Sequence, residues 1–254
     1  MSVGTKGAIR LGMLTPSSNT VLETATVAMI ADFSNVSAHF SRFRVTQIGL
    51  SDSELDQFSD PGILHAAELL ADANVDVIAW NGTSASWLGF ERDHQLCAKI
   101  HEATGIPACT SVLAFREIFE TTGVKRVGLV TPYLDDVQAR IVQNWGAAGF
   151  TCSAERHLGL SNNFSFATVS ESTIANMVRQ VADEGCEAVA IVCTNLNGAS
   201  IVPQLEREIG RPVYDSISVT IWKSLRLAGF DTVQLGNWGE LFRIFSLNPQ
   251  RLES

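Results

Sequence analysis

Asp76-Val77-Ile78-Ala79-Trp80-Asn81-Gly82-Thr83-Ser84 recurs in altered form as Glu187-Ala188-Val189-Ala190-Ile191-Val192-Cys193-Thr194-Asn195. Upstream, Arg10-Leu11-Gly12-Met13-Leu14-Thr15-Pro16 pairs with Arg126-Val127-Gly128-Leu129-Val130-Thr131-Pro132. Downstream, Thr104-Gly105-Ile106-Pro107 pairs with Ile209-Gly210-Arg211-Pro212. Three matches in the same order at nearly constant offset are the signature of two copies of one supersecondary unit. Each copy of the quoted stretch is a short apolar run ending in small polar residues, as a buried strand entering a turn would be. Two related halves place two such strand ends face to face across a cleft. One copy presents Cys193 there and the other Gly82, so a thiol opposes a position with no side chain.

The rest of the chain fits this scheme. Residues 8–15 read as a buried strand, 16–20 as a polar turn, and a helical pattern begins at Val21 with Glu23 in its first turn, where the helix dipole favours an acid. Strands are expected over 36–45 and 75–80, and helices over 61–73 and 94–104, the last stopped by Gly105. In the second half, strands are expected over 127–130 and 188–192, and helices over 135–146, 174–184 and 203–209. Alternating strands and helices predict an α/β fold of two pseudo-two-fold related lobes, each a short parallel sheet flanked by helices, with the site in the cleft between them. The lobes are expected to span 1–118 and 119–219, joined near 119–123, with a tail over 220–254 packing back on the first lobe. The flat stretch Ser161-Asn162-Asn163-Phe164-Ser165 reads as a loop or lid.

Composition narrows the function. The chain of 254 residues is 46% hydrophobic and 18% charged, enough apolar content for a substantial core. A net charge of −9 with no basic stripe argues against a nucleic-acid partner. A polar start and the lack of a long apolar run argue against a signal peptide and a membrane partner. Five cysteines without metal-ligand or disulfide-framework spacing fit a reducing cytoplasm. No GxGxxG, P-loop or His-rich pattern appears, so the expected chemistry uses no metal, nucleotide or other cofactor. Homo-oligomerisation is left open.

Several motifs carry a resemblance to a known family. Thr15-Pro16-Ser17-Ser18-Asn19-Thr20-Val21-Leu22-Glu23 is similar to the opening of maleate isomerases. Thr131-Pro132-Tyr133-Leu134-Asp135-Asp136-Val137 resembles a middle motif that these enzymes share with arylmalonate decarboxylases. Cys193-Thr194-Asn195 resembles the segment of the isomerases' second catalytic cysteine. Over roughly residues 8–230 the chain thus resembles the aspartate/glutamate racemase superfamily, in its maleate isomerase and arylmalonate decarboxylase branch. Racemases and isomerases of that family carry a cysteine before Thr-Ser in the first half, where this chain has Gly82. The decarboxylases likewise have Gly-Thr-Ser there and a single cysteine in the second half. Their opening, however, is apolar where this chain has Ser17, Ser18 and Asn19.

The resemblance implies action at a carbon next to a carboxylate. A carbanion there places extra negative charge on carboxylate oxygens, which preorganised donors stabilise. Ser17, Asn19, Thr83, Ser84, Tyr133, Thr194 and Asn195 are the candidate substrate-binding residues. Cys193 is the candidate proton donor or acceptor, with a thiol pKa lowered if it starts a helix. Racemisation needs a second proton-handling group on the opposite face, and covalent isomerisation needs a nucleophile in the first half. Gly82 supplies neither. Decarboxylation needs only one proton donor, because CO2 leaves instead of a proton. The expected activity is cofactor-independent decarboxylation of a substituted (aryl)malonate through an enediolate protonated by Cys193. The alternatives are a maleate isomerase-like or amino-acid racemase activity on a small carboxylate, or a non-catalytic carboxylate-binding relative, in which the thiol would be inert to labelling. Plainer readings stand beside these roles. Asn19 and Asn195 suit helix caps. Trp80 and Trp87 suit the core, as do Cys97, Cys152 and Cys186, read as helical or polar-turn residues.

Overall fold

The alternation of strands and helices folds into two four-stranded parallel sheets, in a computed structural model that describes residues 7–244. The first sheet contains β1 (Ile9–Pro16), β2 (Val36–Phe43), β3 (Val77–Trp80) and β4 (Ala108–Thr110), in the order β2-β1-β3-β4. The second contains β5 (Arg126–Thr131), β6 (Thr151–His157), β7 (Ala188–Ile191) and β8 (Val213–Asp215), in the matching order β6-β5-β7-β8. β3 and β7 are buried along their whole length, as inner strands covered by helices on both faces must be. The two lobes are related by a pseudo-two-fold axis.

The repeat extends to individual hydrogen bonds. Asp76 accepts the Arg10 N–H at 2.7 Å, and Glu187 accepts the Arg126 N–H at 2.9 Å. Thr110 caps the helix Ser111–Thr122, and Asp215 caps the helix Ser216–Leu227. The Ser111 hydroxyl donates to the Trp80 carbonyl at 3.4 Å, and that of Ser216 donates to the Ile191 carbonyl at 2.8 Å. These paired bonds fix where β3 and β7 end, and hence where the site begins.

Strands β4, β6 and β8 were not foreseen, for physical reasons. β4 and β8 are three residues each, drawn out after Pro107 and Pro212, too short to show a period. β6 is an edge strand in which only Ala154 is fully buried, so Thr151–His157 carries no apolar alternation. Cys152 accordingly lies in a strand rather than a polar turn. The helix expected from His94 starts at Phe90, and the one expected from Ile174 starts at Glu171 behind its Ser170 cap. The stretch 161–165 is not wholly irregular: Asn163–Phe166 forms one helical turn capped by the Asn162 side chain. Phe119–Gly123 is the end of the helix Ser111–Thr122 and its left-handed glycine cap, after which the chain enters the second sheet. The helix Ser216–Leu227 packs on β3, β4 and the helix Ser111–Thr122, and also on β8. The turns Thr232–Trp238 and Glu240–Arg243 touch the helices Leu22–Ile30 and Val202–Ile209 and β8, so this segment bridges both halves. Residues 245–254 of the expected tail lie outside the described residues. Among the described residues no helix is long and apolar enough to cross a membrane.

Candidate active site

The ends of β3 and β7 meet, and a set of buried amides locks them together. The Thr194 hydroxyl donates to the Asn81 carbonyl at 2.9 Å, joining the two strand-end turns. Asn19 donates to the Thr194 carbonyl at 3.0 Å while its oxygen accepts the Val21 and Leu22 N–H groups at 3.0 and 2.9 Å. Asn195 accepts the Thr20 N–H at 3.0 Å and donates to the Asn163 carbonyl at 2.6 Å. Asn19 and Asn195 therefore cap the start of the first helix and fasten it to the second lobe. Ser17 is spent on the chain after β2, accepting the Val45 N–H at 3.1 Å.

Between the strand ends lies a small pocket of ≈ 20 Å³, room for about one water. Its polar wall is formed by Thr83, Ser84, Tyr133, Asn163, Cys193 and Thr194. Its apolar wall is formed by Pro16, Val45, Ile48, Phe58, Trp80 and Trp87. Of the expected site residues, Gly82, Thr83, Ser84, Tyr133, Cys193 and Thr194 come together here, whereas Ser17, Asn19 and Asn195 support the site from behind. No charged side chain lines the cavity, so a carboxylate entering it meets neutral donors only. Larger surface grooves exist, one of ≈ 540 Å³ beside Thr122, Glu187 and Arg243 and one of ≈ 400 Å³ that includes Cys109, but neither is lined by Gly82, Tyr133 or Cys193.

The roof of the cavity is made by two segments, one from each lobe. The Ile48 N–H donates to the Ser161 carbonyl at 2.8 Å, the Asn163 N–H donates to the Thr46 carbonyl at 3.0 Å, and Gln47 pairs with Asn162. The Gln57 side chain braces the first segment, accepting the Thr46 N–H at 2.7 Å and donating to the Gln47 carbonyl at 3.0 Å. A dicarboxylate is larger than this pocket, so binding one requires its lining to shift.

Cys193 is buried, and the Asn195 N–H donates to its sulfur at 3.4 Å. Burial pushes its thiol up to about 12, against the pull of the Asn195 and Leu196 N–H groups and the Tyr133 hydroxyl; Asp215 adds to the rise. The expectation of a lowered pKa is thus overturned. An irregular turn rather than a helix follows Cys193, so no helix N-terminus offsets the loss of water around the sulfur. Slow labelling at neutral pH is now expected of a working acid as well, and no longer marks a dead site. The Tyr133 hydroxyl lies 2.6 Å from the Thr83 hydroxyl, bridging the lobes, and burial raises the phenol's pKa as well. Both groups hold their protons and are able to donate them.

Gly82 has a reason beyond its turn. A Cβ added there would lie 1.9 Å from Cζ2 of Trp80 and 2.3 Å from Cε2. The indole occupies the space that a residue-82 side chain would need, so Trp80 is at once a core residue and a wall of the site. Asn163 is the polar wall residue that motif reasoning missed; it lay within the stretch flagged as a lid, with nothing in its spacing to single it out. Val45, Ile48 and Phe58 were missed because they lie around an irregular roof segment with no period to read. Among the described residues, no group of three or more His, Cys, Asp or Glu side chains is placed to hold a metal ion.

Paired parallel sheets whose inner strands meet over a buried thiol place the protein in the aspartate/glutamate racemase superfamily, in its maleate isomerase and arylmalonate decarboxylase branch. The family model for arylmalonate decarboxylase matches residues 12–242, and the chain belongs to that family. It is 28% identical over 183 residues to the arylmalonate decarboxylase of Bordetella bronchiseptica, covering 71% of this chain and 76% of that protein. It is 26% identical over 242 residues to a maleate isomerase of Pseudomonas putida, covering 89% of this chain and 94% of that one. The fold matches the maleate cis-trans isomerase of Nocardia farcinica with a TM-score of 0.86 at 24% identity, covering 94% of this chain and all of the other. A crystal structure of arylmalonate decarboxylase matches with a TM-score of 0.73, also at 24% identity, covering 93% of this chain and 100% of that one.

Proposed function

We propose that the protein is a cofactor-independent decarboxylase of a substituted malonate, with Cys193 as its single proton donor. The observation that carries this reading is the asymmetry of the cleft: a protonated thiol on one side, and on the other a glycine whose side-chain space is filled by Trp80. The C–CO2 bond breaks heterolytically, CO2 departs, and the electron pair passes into the remaining carboxylate as an enediolate. The Cys193 S–H then transfers its proton to the α-carbon. The resulting thiolate regains a proton from water when the roof opens to release product.

Ser84 and whichever of Thr83 and Tyr133 is not donating to the other supply hydroxyl donors for the enediolate oxygens, while the Thr194 hydroxyl is engaged with the Asn81 carbonyl and holds the turn in place. Removing one such donor typically costs about 3 kcal/mol of transition-state stabilisation. The aromatic and aliphatic wall supports the same chemistry, because an apolar surface disfavours a carboxylate and tolerates neutral CO2. A thiol kept protonated by burial can still protonate a carbanion, which is a far stronger base; attack on a double bond requires a thiolate, and reversible proton exchange requires a second group on the far face.

The test is turnover in D2O with aryl- and alkylmalonates, maleate, aspartate, glutamate and hydantoins. CO2 release with one deuterium incorporated, lost in Cys193→Ala, is expected. Turnover of maleate or an amino acid without CO2 release would overturn the proposal. One observation favours a second reading, cis-trans isomerisation of a small unsaturated dicarboxylate. The amide of Asn163 adds a polar group to the roof, and its Nδ2 is held by the Ser18 hydroxyl at 2.8 Å. In that reaction water or another group replaces the absent first thiol, and the same panel separates the two.

A further inference from the structure

The walls of the cavity differ in what holds them. Val45, Ile48 and Asn163 belong to the two clasped segments, which only a few backbone hydrogen bonds hold together. Trp80 belongs to the frame. It is the last residue of β3, in register with Leu14 of β1 on one side and Thr110 of β4 on the other. Its carbonyl accepts the Ser111 hydroxyl, and its ring packs on Phe43 with centroids 5.0 Å apart. Space taken by the indole is therefore not returned when the roof opens. Gly82 and Cys193 line the same pocket, and Cζ2, Cε2 and Cη2 of the indole already stand where a side chain at position 82 would point.

We propose that Trp80 is the specificity-determining residue of the cleft, confining it to malonates whose α-substituent is a hydrogen or a short alkyl group and excluding α-aryl malonates. The proposal takes its ligand class from the decarboxylase reading but is tested by binding, so the two fail separately. Methylmalonate, ethylmalonate and phenylmalonate are titrated calorimetrically into Cys193→Ala and into the same variant carrying Trp80→Val or Trp80→Phe. CO2 release is measured in parallel with Cys193 intact.

Methylmalonate is expected to bind at least about tenfold more tightly than phenylmalonate when Trp80 is present, the discrimination that a misfit of a few carbons produces. Trp80→Val is expected to erase or reverse that ratio. Trp80→Phe, which keeps a ring against Phe43 and serves if the valine variant does not fold, should move the ratio part of the way. Equal binding of the two ligands with Trp80 present, an unchanged ratio in either folded variant, or no binding of any malonate would overturn the proposal. Binding in the expected order without CO2 release from any protein would uphold the Trp80 wall and sink the decarboxylase reading instead.

Discussion

Replacing Gly82 by cysteine restores a thiol to the first half, but the structure predicts that the single change harms the fold before it can alter the chemistry. The new Cβ would sit 1.9 Å from the indole, whereas ordinary contact begins near 3.4 Å, so the ring or the turn must yield by about 1.5 Å. Trp80 is 1% exposed and packed on Phe43, so the shift is resisted on the Phe43 side and beside the ring only the small pocket is free. Overpacking of this kind costs about 1–3 kcal/mol or more. Trp80→Val costs about 3–5 kcal/mol by opening a cavity. In the double variant each change relieves the other, because the cysteine side chain enters space the indole has left. The loss should fall short of the sum of the single losses by about 1–3 kcal/mol.

Urea unfolding of the four proteins under reducing conditions, with unchanged slopes, measures this coupling. Racemisation of an α-aryl carboxylate should then appear only in the double variant, where both thiols reach one carbon. Additivity within about 0.5 kcal/mol would refute the claim that Trp80 and residue 82 compete for one space. So would a single Gly82→Cys protein as stable as its parent.

Three further outcomes follow from the same geometry. Alkylation of Cys193 by iodoacetamide, followed on its own peptide, should be slow at pH 7 and rise about tenfold per unit toward pH 12, and Tyr133→Phe should slow it further at any given pH; a rate independent of pH from 7 to 10 would contradict the buried thiol. Asp215, raised by burial from 3.8 to about 7, binds its proton more tightly folded than unfolded, so it costs stability as pH rises through that window; the advantage of Asp215→Asn over the parent should grow by about 1–4 kcal/mol from pH 4 to pH 8, and a constant difference would be a failure. Asn195→Ala strips partners from the Thr20 N–H and the Asn163 carbonyl, and should cost about 2–4 kcal/mol in denaturant unfolding; a loss under 0.5 kcal/mol would deny the clamp its role.

The sequence made the inner strands legible and left the roof dark. β1, β3, β5 and β7 are largely apolar runs closed by small polar residues, and the repeat aligns Gly82 with Cys193. Asn19 and Asn195 illustrate the limit. Their residue type and position after a strand suit substrate donors and helix caps equally well, and only the partners of each amide decide between the two. Tyr133 and Ser17 occupy equivalent places after Thr-Pro, yet Tyr133 spans the cleft to Thr83 while Ser17 turns away to Val45. The thiol's ionisation is illegible for a related reason, since burial and the absence of a helix after Cys193 are tertiary facts that local spacing does not encode.

The repeat also explains why loss of the first thiol and gain of the indole belong together. Trp80 and Ile191 are equivalent residues, each ending its inner strand and each offering its carbonyl to a serine hydroxyl from the following lobe element. In the second half the equivalent residue is the smaller Ile191, and two residues on stands Cys193, the proposed proton donor. In the first half the side-chain space at that position is filled by Trp80, which leaves Gly82 as the only residue type that fits without displacing the ring. Restoring a two-thiol cleft therefore requires two coordinated changes, not one. A side chain at position 82 without a smaller residue at position 80 overpacks the core, and a smaller residue at position 80 alone leaves a cavity. Each intermediate is destabilised by several kcal/mol, a large fraction of the ~5–15 kcal/mol that holds a typical domain folded. That barrier on both sides makes the one-thiol arrangement self-maintaining, and it ties the single proton donor to the packing of the first sheet rather than to the catalytic turn alone.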